Sequence, residues 1–137
     1  MKIQYLPHTA DVRMRISGST LEELFKAGMI GMGNILKEGF CDKNNPIDNK
    51  KEIDIQAVDQ TCLLIDFLSE ILSFCYVEKS IYCKGEFPVF TATKIVGTIY
   101  GTHTNNLDEE IKGVTYHEAQ VRCNSNNQWE TIVVFDI

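Results

Sequence analysis

The hydrophobic period of this chain switches abruptly at Gly18, and that switch dictates how the N-terminal part must be built. Before it, Val12, Met14 and Ile16 alternate strictly with Arg13, Arg15 and Ser17. Successive strand side chains point to opposite faces, so this run predicts a half-buried strand with one apolar and one polar side. After it, Leu21, Leu24, Phe25, Met29, Met32, Ile35 and Leu36 recur at helical spacing. The junction, Gly18-Ser19-Thr20-Leu21-Glu22-Glu23, is a capping box: the Thr20 hydroxyl can accept from the backbone N–H of Glu23 while the Glu23 carboxylate reaches back to Thr20. Gly39 stands where a helix C-terminus favours a left-handed residue. Gly28, Gly31 and Gly33 fall inside the helix, where each costs about 1 kcal/mol relative to alanine if exposed. A phosphate-cradling loop would place its glycines between strand and helix, so these predict a close approach of helix to sheet.

The remaining segments are read in the same way. Ile3 to Leu6 is the expected hairpin partner of the first alternating run, and Cys41 to Lys51, with Pro46 and three asparagines, reads as a loop. Ile53, Ile55 and Ala57 mark another strand. Asp59 then caps a second helix to about Tyr76, with an apolar stripe through Leu63, Leu64, Phe67, Leu68, Ile71, Leu72 and Cys75. Asp59, Asp66 and Glu70 line its other face, either as a solvated row or as a docking surface. Ser80 to His103 predicts two strands joined near Pro88. Val114 to Cys123 and Trp129 to Ile137 read as the last two strands, separated by an Asn-rich turn at Asn124 to Gln128 that tolerates left-handed dihedrals. The order β-β-α-β-α-β-β-β-β predicts an α+β fold, two helices packed on a mainly antiparallel sheet, in a single domain over 1–137.

Charge narrows the partners. Lys and Arg total 13 against 19 for Asp and Glu, a net charge of −6 and a pI near 5.0, the wrong sign for gripping a phosphate backbone unaided. Residues 1–50 hold 7 basic and 6 acidic side chains, residues 51–137 hold 6 and 13, so the acidity is concentrated in the later segments. No uninterrupted apolar run has bilayer-spanning length, and Met1 to Asp11 lacks a signal-peptide layout; a cytoplasmic protein without a membrane partner is expected. The five cysteines, Cys41, Cys62, Cys75, Cys83 and Cys123, show no zinc or redox spacing and are expected mostly as buried thiols, with no disulfide favoured in a reducing compartment.

Three places break the local pattern. Pro7-His8-Thr9-Ala10-Asp11 sets a His and an Asp between two strands, as a base and its orienter or as a turn in which Asp11 caps backbone donors. Lys112-Gly113-Val114-Thr115-Tyr116-His117-Glu118 opens a strand on which His117 shares its side with Ala119, Val121 and Cys123, while Lys112 is free to reach an anion. Finally, Val133-Val134-Phe135-Asp136-Ile137 brings the Asp136 carboxylate next to the α-carboxyl of Ile137. If that strand lies beside Asp11, three anionic groups converge and stay ionised together only around a cation; oxygen ligation alone points to Ca²⁺ or Mg²⁺. The alternative is a frayed end with solvated carboxylates.

Together these segments resemble the archease family over essentially the whole chain. The correspondence runs through His8-Thr9-Ala10-Asp11, Gly18 to Phe25, the helix Leu63 to Leu72, Lys112 to His117 and the ending Val133 to Ile137. Departures are Val12-Arg13 where the family often has an Ile/Val-Gly pair, glycines at 28, 31 and 33 where alanines are usual, and Phe67-Leu68-Ser69 in place of Trp-Leu-Asn. The resemblance implies a protein cofactor of an RtcB-type tRNA-splicing RNA ligase, not an enzyme, that accelerates guanylylation of the ligase's active-site His and permits multiple turnover. It implies that Asp11, Asp136 and Ile137 hold a divalent ion, Ca²⁺ first with Mg²⁺ or Mn²⁺ as alternatives, and that Lys112 and His8 contribute to the same tip. His117 and Asp66 are secondary candidates, and a monomer or homodimer is expected. Two rival readings remain: a small metal-dependent hydrolase or phosphoesterase using His8, Asp11 and His117, and a chaperone-like scaffold docking through Asp59, Asp66 and Glu70.

Overall fold

A computed structural model describes residues 1–7 and 11–137, in which the chain forms two antiparallel sheets with two helices. The five-stranded sheet runs β1 (Lys2–Leu6), β2 (Asp11–Gly18), β8 (Trp129–Asp136) and β6 (Gly113–Thr115), with β7 (Arg122–Cys123) also pairing with β8. The three-stranded sheet has the order β3 (Asn49–Gln56), β5 (Lys94–His103), β4 (Ser80–Phe90). Helix α1 (Leu21–Leu36) packs against both β2 and β4, so it joins the sheets, while α2 (Gln60–Glu78) packs against α1, β3, β4 and β6. The α+β expectation holds, with the antiparallel strands divided between two sheets.

Most of the local reading is present. β1 pairs with β2 as a hairpin, and Met14 and Ile16 are fully buried on one side of β2. Thr20 caps α1 by accepting from the Glu23 N–H at 3.1 Å. The return bond of the capping box is replaced: the Glu23 carboxylate accepts from the Ser19 hydroxyl at 2.6 Å and pairs with the Met1 amino group at 2.5 Å, which holds its carboxyl below the usual range. Gly39 is left-handed, φ 69, but it leads into a short 3₁₀ turn, Phe40–Asp42, rather than closing α1, whose C-cap is Lys37 in extended geometry. The helix glycines do bring α1 onto its neighbours, but unequally. A Cβ at Gly31 would lie 2.3 Å from Met14 Sδ and one at Gly33 2.6 Å from Cys41 Sγ, whereas one at Gly28 would meet Ile16 and Leu68 at 3.4 Å, ordinary contact.

Asp59 caps α2, accepting from the Cys62 N–H at 2.8 Å. Although α2 is long and apolar enough to cross a bilayer by length and composition, its Leu63, Leu64, Phe67, Leu68 and Ile71 are core residues. Phe25, Phe67, Phe87 and Phe90 form an aromatic cluster between the helices and the three-stranded sheet, with ring centroids 5.1 to 6.2 Å apart.

Three expectations are corrected. Pro88 does not join β4 to β5; it lies within β4, where the register shifts between Glu86 and Val89, and the turn falls at Thr91 to Thr93. A bulge accepts a residue that cannot donate to the ladder, which is why proline is tolerated there. Val114 to Cys123 is not one strand: it breaks after Thr115 into a turn in which Glu118 takes φ 64. The thiol expectation also fails. Cys41, on the short 3₁₀ turn Phe40–Asp42, is disulfide-bonded to Cys83 on β4, with Cα atoms 5.4 Å apart, in space kept open by Gly33. Only Cys75 is a buried free thiol; Cys62 is half-buried and Cys123 exposed.

Candidate functional site

The edge-to-edge order of the five-stranded sheet gathers residues from both ends of the sequence. β8 lies between β2 and β6, and at one end of it Asp136 faces Asp11 on one side and Gly113 on the other. Directly opposed residues of an antiparallel pair point to the same face, so the two carboxylates share the side of the sheet away from Val133 and Phe135, which are fully buried. Asp136 is exposed and Asp11 half-buried. Like charges directly opposed repel unless a positive group stands near them.

Lys112 joins this tip by its backbone. Its N–H donates to the Asp136 carbonyl at 2.6 Å, and its side chain is exposed. The preceding residue is fixed from α2: the Tyr76 hydroxyl donates to the Ile111 carbonyl at 2.8 Å and accepts from the Ile111 N–H at 2.7 Å. Burial raises the Tyr76 phenol above its ordinary pKa, which keeps it in the protonated form that can donate. Thus α2 sets where β6 enters the sheet and where Lys112 is presented.

Two residues farther from the tip, the polar face carries a pair that sequence reading missed. Arg13 donates through Nε and Nη2 to the two oxygens of Glu118, at 2.7 and 2.8 Å, a bidentate arrangement. The hydrogen bond with Glu118 is the first cause raising the Arg13 guanidinium, and the charge of Asp11 adds to it. Arg13 stood on the polar side of the alternating run, which was visible; its partner was not, because Glu118 is presented by a left-handed turn 105 positions away. Beside this pair a cleft of about 470 Å³ opens, lined by Arg15, Glu118, Gln120, Arg122, Glu130, Thr131 and Ile132.

The secondary candidates move. His117 is not on an apolar face; it sits exposed in the turn after β6, because the strand ends before it. Asp66 is no longer a member of an open acidic row: its Oδ1 accepts from the Tyr116 hydroxyl at 2.9 Å, so it anchors that turn to α2 and raises the Tyr116 phenol. Asp59 is engaged at the helix cap, and burial together with Asp54 raises the Glu70 carboxyl. Asp59 and Asp66 are thus engaged within the fold, while Glu70 stands beside a like charge. His8 lies outside the described residues.

The donor set at the tip is two aspartates, hard oxygen ligands of the kind that suit Ca²⁺, Mg²⁺ or Mn²⁺. Among the described residues no three His, Cys, Asp or Glu side chains gather to hold an ion. The residues present fit a divalent ion that takes its remaining oxygens from the main chain, a terminal carboxylate, water or a partner.

The model of the archease protein family matches residues 4–137 of this chain. Curated relatives include the protein archease of Methanosarcina barkeri, 28% identical over 98% of this chain and 94% of the relative. The protein archease of Pyrococcus furiosus is 30% identical over 98% of this chain and 97% of its own length. A protein archease-like of Drosophila melanogaster is 28% identical, covering 100% of this chain and 91% of that one. Among solved structures, a Methanobacterium thermoautotrophicum protein in solution shares the fold with a TM-score of 0.76 at 20% identity, each chain covered over 98%. A Thermotoga maritima crystal structure, described as an archease and possible chaperone, has a TM-score of 0.62 at 22% identity, covering 100% of this chain and 98% of that one.

Proposed function

The chain belongs to the archease family, and on that premise we propose that it is a non-catalytic activator of an RtcB-type RNA ligase, acting in tRNA splicing and RNA repair in the cytoplasm. The observation that carries this reading is the convergence of Asp11, Asp136 and Lys112 at one exposed end of the five-stranded sheet. Among the described residues the tip presents charged side chains and no serine or cysteine, which suits a group that enters another protein's site to order its metals and side chains. The net charge of −6 favours a protein partner over direct grip on RNA.

Within this proposal Asp11 and Asp136 hold a divalent cation, Ca²⁺ in the first instance, and Ile137 supplies a third oxygen group through its carboxylate where the chain ends there. The ion's chemistry is electrostatic: it cancels the repulsion of the aspartates and gives the tip a defined charge. Asp11 and Asp136 are pre-aligned for it by strand register. Lys112 offers its ammonium to a carboxylate or phosphate of the partner, held in reach by Tyr76 through Ile111. His8 belongs to the same segment in sequence and is a further candidate for contact with the ligase.

The test is to add this protein to its cognate ligase with GTP and Mn²⁺. Faster guanylylation of the ligase His and more ligation events per ligase support the reading; unchanged rates with both would overturn it. The hydrolase alternative gains no support from the exposed turn position of His117. A chaperone-like role follows the wording attached to the Thermotoga relative, and is separated by asking whether the protein protects the ligase from aggregation without changing guanylylation.

A further inference from the structure

The Cys41–Cys83 bond lies where two adjoining surface cavities meet. A groove of about 570 Å³ is lined by Met29, Ile30, Ile47, Cys83, Lys84 and Tyr100 among others, and a neighbouring cleft of about 250 Å³ shares Ile30, Ile47, Cys83, Lys84 and Tyr100 and adds Cys41 and Lys43. Cys83 therefore faces both cavities and Cys41 one. Both cysteines are half-buried and neither is sealed in the core. Lys84 borders each cavity, Lys26 the first and Lys43 the second, against one carboxylate, Glu86, so the approach to the sulfurs carries an excess of ammonium groups on a chain whose net charge is −6.

We propose that Cys41–Cys83 is a native-state thiol-exchange site, attacked at Cys83 by a small thiol bearing carboxylates, of the glutathione type. The incoming thiolate forms a bond to Cys83 Sγ, the Cys83–Cys41 bond breaks, and its electron pair leaves on Cys41 as thiolate, which then takes a proton. A second thiol molecule attacks the mixed disulfide, releasing the Cys83 thiolate and the oxidised form of the small thiol. The carboxylates of the reagent pair with Lys43 and Lys84, and those ammonium groups also favour the thiolates on both sides of the exchange.

The surrounding fold is held independently of the bond. The Cys41 N–H donates to Asn34 Oδ1 at 2.8 Å, Asn45 donates to the Phe40 carbonyl at 2.7 Å, and Thr102 donates to the Pro46 carbonyl at 2.7 Å. The turn and the loop after it thus keep anchors when the sulfurs separate. Two of the three free thiols are held back, and the third, exposed Cys123, is alkylated before the exchange is measured. Burial pushes Cys75 up to about 12, leaving it protonated, and Asp59 beside Cys62 raises that thiol too.

The experiment uses the full chain, air-oxidised, with its free thiols first blocked by an alkylating agent under native conditions. The blocked protein is exposed to glutathione or to the cationic thiol cysteamine, and products are quenched and mapped by mass spectrometry while circular dichroism follows the fold. The expected result is a glutathione adduct on Cys83 with the native spectrum retained, formed several-fold faster than the cysteamine adduct after correction for each thiol's thiolate fraction. Lys43→Glu with Lys84→Glu should abolish that preference. The proposal is overturned if five cysteines alkylate before any reductant is added, if exchange occurs only in denaturant, if the adduct sits on Cys41, or if the two thiols react alike. Gly33→Ala gives an independent check: its methyl intrudes on Cys41 Sγ, so the oxidised fraction at a fixed glutathione ratio should fall, and an unchanged fraction counts against the site as drawn.

Discussion

The two sheets of this molecule are built from the same antiparallel pairing and do different work. In the three-stranded sheet, β4 and β5 are consecutive in the chain and joined by a tight turn, β3 adds at the side, and the inward residues Ile53, Ile55, Ile95 and Ile99 are all buried. Its outward face sets Glu52 and Glu86 on either side of Thr98, one strand apart from each other rather than directly opposed. In the five-stranded sheet the N-terminal hairpin is paired with β8, and short β6 and β7 fill one side, so its outer face collects charges that sequence keeps far apart. Local pairing makes a platform; distant pairing makes a site.

That contrast can be broken by substitutions in each sheet. The largest effect is expected in the platform. A Cβ at Gly97 would lie 2.1 Å from the Glu86 carbonyl oxygen, a backbone atom fixed in the bulged part of β4. Gly97→Ala should therefore cost about 3 kcal/mol in urea unfolding, with ligase activation by the remaining folded protein unchanged. Tyr76→Phe comes next: it strips both polar partners from Ile111 and should cost about 1–2 kcal/mol, with a loss of ligase activation out of proportion to the folded fraction, since Lys112 follows directly. If Tyr76→Phe activates normally once folded, the tip does not depend on α2.

Smaller effects separate the α1 glycines. Gly31→Ala drives a methyl into fully buried Met14 and should destabilise by about 1 kcal/mol net of the helix-propensity gain, while Gly28→Ala, with room at 3.4 Å, should stabilise by about 0.5 kcal/mol. Equal shifts in the two unfolding midpoints would mean that α1 does not discriminate between its contacts. The smallest stability change belongs to the site. Asp136→Asn removes a cross-strand repulsion and should leave stability unchanged or raise it by at most about 0.5 kcal/mol, yet Asp136→Asn and Asp11→Asn should each weaken Ca²⁺ binding measured by calorimetry and lower ligase guanylylation. A fall in stability without loss of Ca²⁺ binding would make the tip structural.

Legibility in the sequence followed the range of the interaction. Thr20, Asp59, Gly39 and the Asn-rich turn, where Asn127 has φ 59, are decided within a few residues and were readable. The alternating run gave the two faces of β2, and the glycines gave a close helix approach. What failed was set from afar. Thr115 ends β6 because the Tyr116 hydroxyl is drawn to Asp66 on α2 and Arg13 grips Glu118, contacts across 50 and 105 positions. Cys41 meets Cys83 because Gly33 lets the 3₁₀ turn settle against β4, which cysteine spacing alone does not encode. The juxtaposition of Asp11 and Asp136 depends on which strands pair, and the register of β2 with β8 supplies it.

The pairing of β2 with β8 also has a temporal meaning. Asp136 is synthesised 125 positions after Asp11, so the acidic pair exists only once that long stretch of chain has closed on itself. A chain halted before β8 carries the residues of the hairpin and both helices but leaves Met14 and Ile16 without the strand that pairs beside them, and holds only one of the two aspartates. Formation of the paired carboxylates thereby reports that β2 and β8 have found one another.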